Sequence, residues 1–443
     1  MTSTENAASN SLSGEIARYY DLQTEEEWKR LARHRTEFTV TLRALADHLP
    51  PPPARLLDCG GGPGRYAIEM ARRGYDVTLF DLSAGNLQLA QEKAAEAGVT
   101  LAAIEQGTAT DLARFPEAAF DAVLLMGPLY HLLEEAERQQ TLAETYRVLK
   151  PGGQLFAAFI SRYAPLRYAA AHEPFWPLEY PELLESILTR GIMPPHRKDG
   201  EAFVGHFAHP TEVIPLCQHA GFEITTVLGV EGLVSMIEDE VNDLSGEAWD
   251  TWVDLNHHLA PDPSIHGCVE HLLAVAVKPR WRATLCQIAR RLDEAGATYK
   301  TVGGASAALH GVPIPVKDID LETDPDGAYR FQTLFADRSV EPVAFRESET
   351  YRSHFGRFDF DGVMVEVMGD LHRRESDEWV PSAATTETTV DLDGVSVRAS
   401  WLEEETLAYV RRKRLDRAAL CLPHCNPERL LALLRGEQRT AIL

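Results

Sequence analysis

One stretch decides the fold of the first half of the chain: Leu56-Leu57-Asp58-Cys59-Gly60-Gly61-Gly62-Pro63-Gly64-Arg65-Tyr66. The two leucines indicate a buried parallel strand, and the glycines after them let the backbone turn sharply and approach a ligand. A helical pattern then ends at Gly74, and a second apolar run ends in the carboxylate of Asp81. Strand, glycine loop, helix, strand and acid together predict half of a doubly wound nucleotide-binding sheet.

The acid that opens this loop helps to decide which cofactor the loop holds. A dinucleotide pyrophosphate favours helix-terminal N–H groups with no carboxylate nearby, whereas a cationic amino-acid ligand tolerates or prefers Asp58. The stretch resembles motif I of the class I S-adenosylmethionine (SAM)-dependent methyltransferases, and Asp81 matches the acid that binds the SAM ribose in that family. The alternative, a nicotinamide-dependent dehydrogenase, rests only on the shared glycine loop.

The resemblance covers residues 15–279 and implies an α/β domain with a Rossmann-like seven-stranded sheet. Its last strand, residues 271–277, would run antiparallel beside the sixth, residues 222–230. The N-terminal helices would fold over the cofactor, where Tyr19 or Tyr20 would either stack on SAM or pack onto the sheet. The SAM-binding residues that the resemblance implies are Tyr20, Asp58, Gly60, Gly62, Gly64, Asp81, Thr108, Ala109 and Met126.

The loop after the fourth predicted strand contains the candidate catalytic residues of this half. Its sequence, Gly127-Pro128-Leu129-Tyr130-His131-Leu132, resembles a signature of one branch of small-molecule methyltransferases. Ligands bind at the carboxyl ends of such strands, so Tyr130 and His131 are predicted to be catalytic, the alternative for His131 being a surface position. Methyl transfer needs chiefly a well-positioned acceptor and, for a hydroxyl or amine, its deprotonation.

A long irregular segment, residues 162–209, follows the fifth predicted strand and is rich in aromatic residues, histidines and prolines. Long irregular segments in compact domains are usually functional or disordered, and the aromatic content argues against disorder. We therefore expect this segment to form the lid and wall of the acceptor pocket. His206 and His209 would either supply a general base or lie in solvent.

Composition limits the classes of function. A chain of 443 residues predicts two or three domains, and a net charge of −24 disfavours a nucleic-acid partner. Six scattered cysteines and the absence of a signal or membrane-spanning segment predict a cytoplasmic protein. Residues 1–14 are polar and are expected to be disordered. The sequence gives no oligomeric state.

A second domain, residues 280–443, begins after Pro279. A short strand leads into Gly303-Gly304-Ala305-Ser306, and Asp318-Ile319-Asp320 follows in an extended segment. Residues two apart in a strand share one face, so both aspartates project together, and paired carboxylates of this kind hold Mg²⁺. A later apolar strand carries a single acid, Glu366, which is costly unless it is paired or binds a metal.

This combination resembles the nucleotidyltransferase superfamily that includes polymerase β, over roughly residues 281–420. The resemblance implies an α+β domain in which the Gly304 amide and Ser306 hold a nucleoside triphosphate. Asp318 and Asp320 would bind two Mg²⁺ ions, and Glu366 would complete the metal site and deprotonate the acceptor hydroxyl. The chain departs from many relatives before the first aspartate, where Ile314 and Val316 replace Arg and Thr.

The sequence thus predicts a SAM-dependent methyltransferase acting on a small-molecule acceptor, fused to a Mg²⁺-dependent nucleotidyltransferase. The alternative retains the methyltransferase and makes the C-terminal domain a non-catalytic nucleotide-binding or regulatory module. Neither hypothesis identifies the methyl acceptor or the nucleotide.

Overall fold

The computed structural model describes residues 3–195, 203–382 and 384–440. The chain divides into two compact units, Met1–Pro279 and Arg280–Leu443, and each unit is described by itself. Within the described residues, no helix is both long and apolar enough to cross a membrane.

The first unit contains eleven helices and nine strands within the described residues. The helices are α1 (Ser3–Arg33), α2 (Arg35–His48), α3 (Arg65–Arg72), α4 (Ala84–Glu96), α5 (Glu135–Val148), α6 (Ala164–His172), α7 (Trp176–Glu179), α8 (Pro181–Arg190), α9 (Pro210–His219), α10 (Asp239–Asn242) and α11 (Gly246–Leu259). The strands are β1 (Arg55–Cys59), β2 (Asp76–Asp81), β3 (Ala103–Gln106), β4 (Phe120–Leu125), β5 (Leu149–Ser161), β6 (Ile192–Met193), β7 (Gly205–Ala208), β8 (Glu223–Gly229) and β9 (His271–Val277).

These strands form one sheet with the predicted Rossmann-like core. Strands β3, β2, β1, β4 and β5 are neighbours in that order and are all parallel. Strand β9 runs antiparallel between β5 and β8, as the sequence predicts for the last strand. The described sheet has nine strands instead of seven, because the short strands β6 and β7 extend it beyond the end of β5.

Helices cover both faces of this sheet, so its central strands are apolar on both sides. In β1, Leu57 and Cys59 belong to the apolar cluster on one face, whereas Leu56 belongs to the cluster on the other. In β4, Val123 and Leu125 lie with Leu57 and Cys59. This alternation follows from the two-residue period of a strand. Because β1 and β4 are parallel, their carboxyl ends lie at the same edge of the sheet.

The structure bears on two sequence-based expectations about the first unit. Residues 1–14 were expected to be disordered; α1 begins at Ser3, and Met1 and Thr2 lie outside the described residues. The segment 162–209 was expected to be irregular, but much of it forms α6, α7 and α8, each with a proline in its first turn. Residues 196–202 of this segment, including His196, lie outside the described residues.

The second unit combines helices with a mixed sheet. Its helices are α12 (Arg280–Glu294), α13 (Gly303–Leu309), α14 (Pro325–Leu334), α15 (Leu402–Arg411), α16 (Leu415–Cys421) and α17 (Pro427–Thr440). Its strands are β10 (Lys300–Val302), β11 (Asp318–Thr323), β12 (Ser339–Glu347), β13 (Tyr351–Phe360), β14 (Val363–Glu375), β15 (Glu378–Pro381), β16 (Thr388–Leu392) and β17 (Val395–Ala399).

The order of this sheet is β12, β13, β14, β11, β10, β17 and β16, with β15 also paired to β14. Strand β11 runs parallel to β14, and their register pairs Asp320 with Glu366. The intervening residues Ile319 and Val365 face the apolar core. The predicted α+β fold is therefore present, and both acids project from the face opposite the core.

Candidate functional site

A cavity at the carboxyl edge of the first sheet, called here the N-terminal cavity, brings together most of the predicted SAM-site residues. Strands β1, β2 and β4 end at this edge, and α1 supplies a further wall. The predicted residues that line it are Tyr20, Asp58, Gly60, Gly62, Asp81, Thr108, Ala109, Met126, Tyr130 and His131. Gly64 does not line it and instead precedes α3, with a φ of 82°.

The glycine turn is shaped for close backbone approach. Gly60 has a φ of 73°, and a Cβ atom there would lie 2.4 Å from Cδ of Pro128. Gly62 also has a positive φ, 54°, but a Cβ there would meet nothing closer than 3.7 Å. The first glycine is therefore required both by its conformation and by the loop after β4, and the second by its conformation alone.

Asp58 has an unusual environment. Its carboxylate is 1% exposed, and within the described residues neither oxygen has a hydrogen-bond partner. Burial, and then the charge of Asp81, raise the pKa of Asp58 to about 7. An unpartnered buried carboxylate is costly, and a cationic ligand in the cavity would offset that cost.

Asp81 is held by the backbone around it. One oxygen accepts a hydrogen bond from Gly62 N–H and the other from Ser83 N–H, both at 2.8 Å. Burial nevertheless raises the pKa of Asp81 above its usual value. The carboxylate thus joins the glycine turn to the start of α4, where Ser83 caps the helix.

Helix α1 is fastened across the cavity by two sets of hydrogen bonds. Asp21 accepts from Ser83 Oγ at 2.6 Å and from Gly85 N–H at 2.9 Å. The hydroxyl of Tyr20 lies 2.7 Å from Nε2 of His131, which follows β4. Tyr20 therefore reaches the predicted catalytic loop directly, a contact that the sequence did not indicate.

The described histidines of the segment 162–209, which are His172, His206 and His209, do not line the N-terminal cavity. Burial and the charges of Arg138 and Arg162 lower the pKa of His206 to about 3, and His209 Nε2 lies 3.0 Å from the hydroxyl of Tyr163. Two described residues of the segment contact His131: the ring centroid of Phe203 is 5.3 Å from that of His131, and the carbonyl oxygen of Val204 lies 3.1 Å from His131 Nδ1. The described residues therefore give no support to His206 or His209 as the general base.

Beside the cavity lies a buried network of charges that sequence analysis missed. Arg30 donates to both carboxylate oxygens of Glu37, at 2.8 and 3.2 Å, and His271 Nδ1 lies 2.6 Å from Glu231. Burial alone would raise the pKa of Glu37, but Arg30 and His271 lower it to about 2. Glu37, Glu231 and His271 have ligand atoms within 4.8 Å of one another, yet the two cations already balance the two acids. We interpret the network as an ion-pair cluster.

The second unit contains a cleft of about 980 Å³, called here the C-terminal cleft, which is within the size range of ligand sites. Asp320 and Glu366 line it, together with Gly303 and Glu405. Burial, and then the charges of Asp318, Glu366 and Glu405, raise the pKa of Asp320 to about 7. A bound cation would relieve this repulsion, so the carboxylates suit Mg²⁺ as a donor set.

The three predicted metal ligands do not form a closed cluster in the described parts of the chain. Asp318 is absent from the residues that line the C-terminal cleft. Glu366 lines it, but one oxygen accepts a hydrogen bond from Arg357 Nε at 2.8 Å. Metal binding by these acids therefore remains a prediction, and Glu366 would bind through the oxygen that Arg357 does not contact or in competition with Arg357.

The structure does not place Ser306 in the C-terminal cleft, where the predicted triphosphate would bind. Helix α13 begins at Gly303 itself, so Ser306 lies one turn into the helix, fully buried, with Oγ 3.0 Å from Ser400 Oγ. Gly303 rather than Gly304 lines the C-terminal cleft. Sequence analysis also missed Glu405, which accepts from Ser400 Oγ at 2.5 Å and whose pKa burial raises to about 7.

Comparisons with known proteins agree with both assignments. The family described as "Methyltransferase domain" matches residues 56–153, and the family described as "Aminoglycoside-2''-adenylyltransferase" matches residues 284–420. A ubiquinone biosynthesis O-methyltransferase from Xanthomonas axonopodis pv. citri (strain 306) is 31% identical over 191 residues, which are 43% of this chain and 72% of that protein. A tRNA 5-carboxymethoxyuridine methyltransferase from Escherichia coli O157:H7 is 30% identical over 190 residues, 42% of this chain and 66% of that protein.

For the second unit, the crystal structure of a putative nucleotidyltransferase from Thermotoga maritima is 33% identical in sequence. The match covers 32% of this chain and 90% of that one, with a TM-score of 0.30. Through its first unit the chain belongs to the class I SAM-dependent methyltransferases, and the family match over residues 284–420 identifies a nucleotidyltransferase-like domain at its C-terminal end.

Proposed function

We propose that this chain is a cytoplasmic enzyme with two activities: SAM-dependent methylation of a small molecule and Mg²⁺-dependent nucleotidyl transfer. The observation that supports the first activity most strongly is Asp58, a buried carboxylate without a partner at a glycine turn. All six cysteines are free, which is compatible with a reducing compartment.

In the N-terminal cavity, Asp58 would receive the ammonium group of SAM, and Asp81 would accept hydrogen bonds from the ribose hydroxyls. Thr108 and Ala109 would contact the adenine, and the backbone of Gly60 and Gly62 would approach the cofactor. SAM supplies a methyl group on a sulfonium, which is activated without any protein nucleophile. Tyr20 and Met126 would complete the contacts to SAM, and Tyr130 and His131, on the loop after β4, would face the acceptor.

A small-molecule acceptor fits the charge of the chain better than a nucleic acid does. The relative from Escherichia coli is named for a tRNA product, but a net charge of −24 opposes binding to a phosphate backbone. The relative from Xanthomonas is named as an O-methyltransferase, which favours a hydroxyl acceptor.

At the C-terminal cleft, Asp320 and Glu366 would hold Mg²⁺ and thereby the phosphates of a nucleoside triphosphate. Asp318, two residues before Asp320 on the same strand, would join them from outside the cleft lining. The pairing of Asp320 with Glu366 on parallel strands beside Gly303 supports this activity. The second candidate is a non-catalytic nucleotide-binding or regulatory module. It is favoured by two observations: Ser306 is buried away from the cleft, and Arg357 occupies an oxygen of Glu366.

Calorimetric titration of the whole chain tests both activities. We expect SAM to bind, and ATP or GTP to bind in the presence of Mg²⁺, with nucleotide binding lost in Asp318→Asn/Asp320→Asn. The control is Asp377→Asn, which changes a fully exposed aspartate of the same unit. Failure of SAM to bind would refute the methyltransferase proposal, whereas SAM binding without any nucleotide binding would refute the second activity alone.

A further inference from the structure

The hydrogen bond between Tyr20 and His131 fixes which atom of each side chain carries a proton. Nδ1 of His131 lies 3.1 Å from the carbonyl oxygen of Val204. A carbonyl only accepts, so Nδ1 must carry the hydrogen, and in a neutral ring Nε2 then has a free lone pair. The Tyr20 hydroxyl, 2.7 Å from Nε2, must therefore be the donor.

The surroundings keep this pair neutral near pH 7. Desolvation lowers the pKa of His131 to about 4 and raises that of Tyr20 well above its usual value. Tyr130, the neighbouring hydroxyl, is directed towards the carbonyl oxygen of Met126 at 3.4 Å. The titratable and charged groups that share the cavity with the pair are Glu27, Arg30, Asp58, Arg65, Tyr66, Asp81 and Tyr130.

Because Tyr20 covers the free lone pair of His131, the imidazole cannot take a proton directly from an acceptor. The hydroxyl oxygen of Tyr20, however, has donated its only hydrogen and keeps lone pairs that can accept one. Among the cavity-lining residues that the structure describes, His131 is the only imidazole. A proton that leaves an acceptor therefore has one route to a neutral base in the wall, and that route passes through Tyr20.

We propose, relying on the methyltransferase activity proposed above, that Tyr20 and His131 form a proton relay for an acceptor that carries an O–H or N–H group. The lone pair of the acceptor atom forms the new bond to the methyl group while the S–CH3 bond breaks and its electron pair stays on sulfur. The acceptor proton moves to the Tyr20 oxygen, and the Tyr20 proton moves to Nε2 of His131. Tyr20 is then the catalytic residue, and His131 is a positioning residue that acts through it.

The relay also conserves charge in a cavity that disfavours new charges. Before transfer, the sulfonium is positive and His131 is neutral; afterwards the sulfur is neutral and His131 is an imidazolium. The desolvation that lowers the pKa of His131 in the free chain therefore does not oppose the step as a whole, since one positive charge replaces another nearby. The relay moves a proton only when the acceptor carries an O–H or N–H group. The acceptor class is therefore a hydroxyl or a protic amine.

Nitrogen NMR of the ¹⁵N-histidine-labelled chain tests the relay without a known acceptor. His131 is assigned by the resonance that disappears in His131→Asn. We expect the Nδ1–H tautomer, an Nε2 resonance that shifts in Tyr20→Phe, and no shift in Tyr19→Phe, the matched change at the adjacent ring on α1. In complexes, the pKa of His131 is expected to be higher by about one unit or more with S-adenosylhomocysteine than with SAM, because only SAM carries the sulfonium charge.

The outcomes separate this inference from the function on which it rests. The Nε2–H tautomer, an Nε2 resonance unchanged in Tyr20→Phe, or equal His131 pKa values in the two complexes would each overturn the relay. Calorimetry on the same samples measures the affinity of the original chain and of each variant for SAM. If the original chain fails to bind SAM, the proposed function falls, and the tautomer measurement shows whether the pair exists in the free chain.

Discussion

Asp58→Asn separates the contribution of this acid to ligand binding from its cost to folding. The pKa of Asp58 rises from 3.8 to about 7 in the folded chain, a difference of about 3 units. At about 1.4 kcal/mol per unit, ionised Asp58 opposes folding by about 4 kcal/mol. Because the group is 1% exposed, solvent does not reduce this figure greatly.

The sign of the pH dependence follows from the raised pKa. Below pH 3.8, Asp58 is protonated in both the folded and the unfolded chain, and its burial costs no ionisation energy. As the pH rises towards and through about 7, the free energy of unfolding falls, because the carboxyl ionises more readily in the unfolded chain. Asparagine does not titrate, so the free energy of unfolding of the variant, relative to the original chain, should rise by about 4 kcal/mol between pH 3.8 and pH 8. Any fixed cost of burying the amide is the same at both pH values and cancels.

Binding should change in the opposite direction. Loss of a charged hydrogen bond to the ligand is worth about 1.5–3 kcal/mol, so SAM should bind roughly 10- to 100-fold more weakly at pH 8. Urea titrations read by hydrogen exchange of the peptide 55–66 isolate the first unit, and calorimetry gives the affinity. Asp76→Asn, an exposed acid on the neighbouring strand, is the control. A stability difference that does not vary with pH, or an unchanged affinity for SAM, would refute the reasoning.

Three further changes test other parts of the two sites. Glu37→Gln should lower the free energy of unfolding at pH 7 by about 3 kcal/mol. The difference between the variant and the original chain should shrink as the pH falls from 4.5 through about 2, the lowered pKa of Glu37. Urea titrations at several pH values measure this difference. Gly60→Ala should abolish SAM binding in calorimetry because its Cβ would lie 2.4 Å from a proline ring, whereas Gly62→Ala, with no contact under 3.7 Å, should retain weaker binding. Arg357→Gln should raise Mn²⁺ affinity several-fold in electron paramagnetic resonance titrations, since it removes a cation and the 2.8 Å hydrogen bond from Glu366. Glu366→Gln should lower the affinity, and an affinity unchanged in Glu366→Gln would refute the role of Glu366 as a ligand.

The sequence predicted the features that short-range patterns encode. The glycine turn and the acid at the end of β2 follow from spacing along one or two elements. The antiparallel last strand and the meeting of Asp320 with Glu366 were implied by the two family resemblances. For Glu366, the residues added only that an isolated acid in an apolar strand needs a partner.

Contacts between distant segments were not predictable in this way. Ser306 matched a motif by position, but its direction depends on where α13 begins and on Ser400, 94 residues later. The network of Arg30 and His271 joins residues that no local pattern connects. The hydroxyl of Tyr20 likewise meets a ring 111 residues away, which is why a stacking role was expected for Tyr20 and a proton route was not.

The two units share a physical arrangement although their folds are unrelated. In the first, a Cβ on Gly61 would lie 2.5 Å from the carboxyl carbon of Asp58; in the second, a Cβ on Gly303 would lie 2.5 Å from Oδ2 of Asp320. In both, the missing side chain lets an acid pack against the turn, and the pKa of the acid rises to about 7. Each unit therefore keeps a carboxylate that opposes folding when it is ionised, at the point where its glycine turn lets a ligand approach. Natural chains tolerate such a cost mainly where function requires it, so a cation that binds Asp58 or Asp320 should stabilise its own unit more at pH 8 than at pH 5.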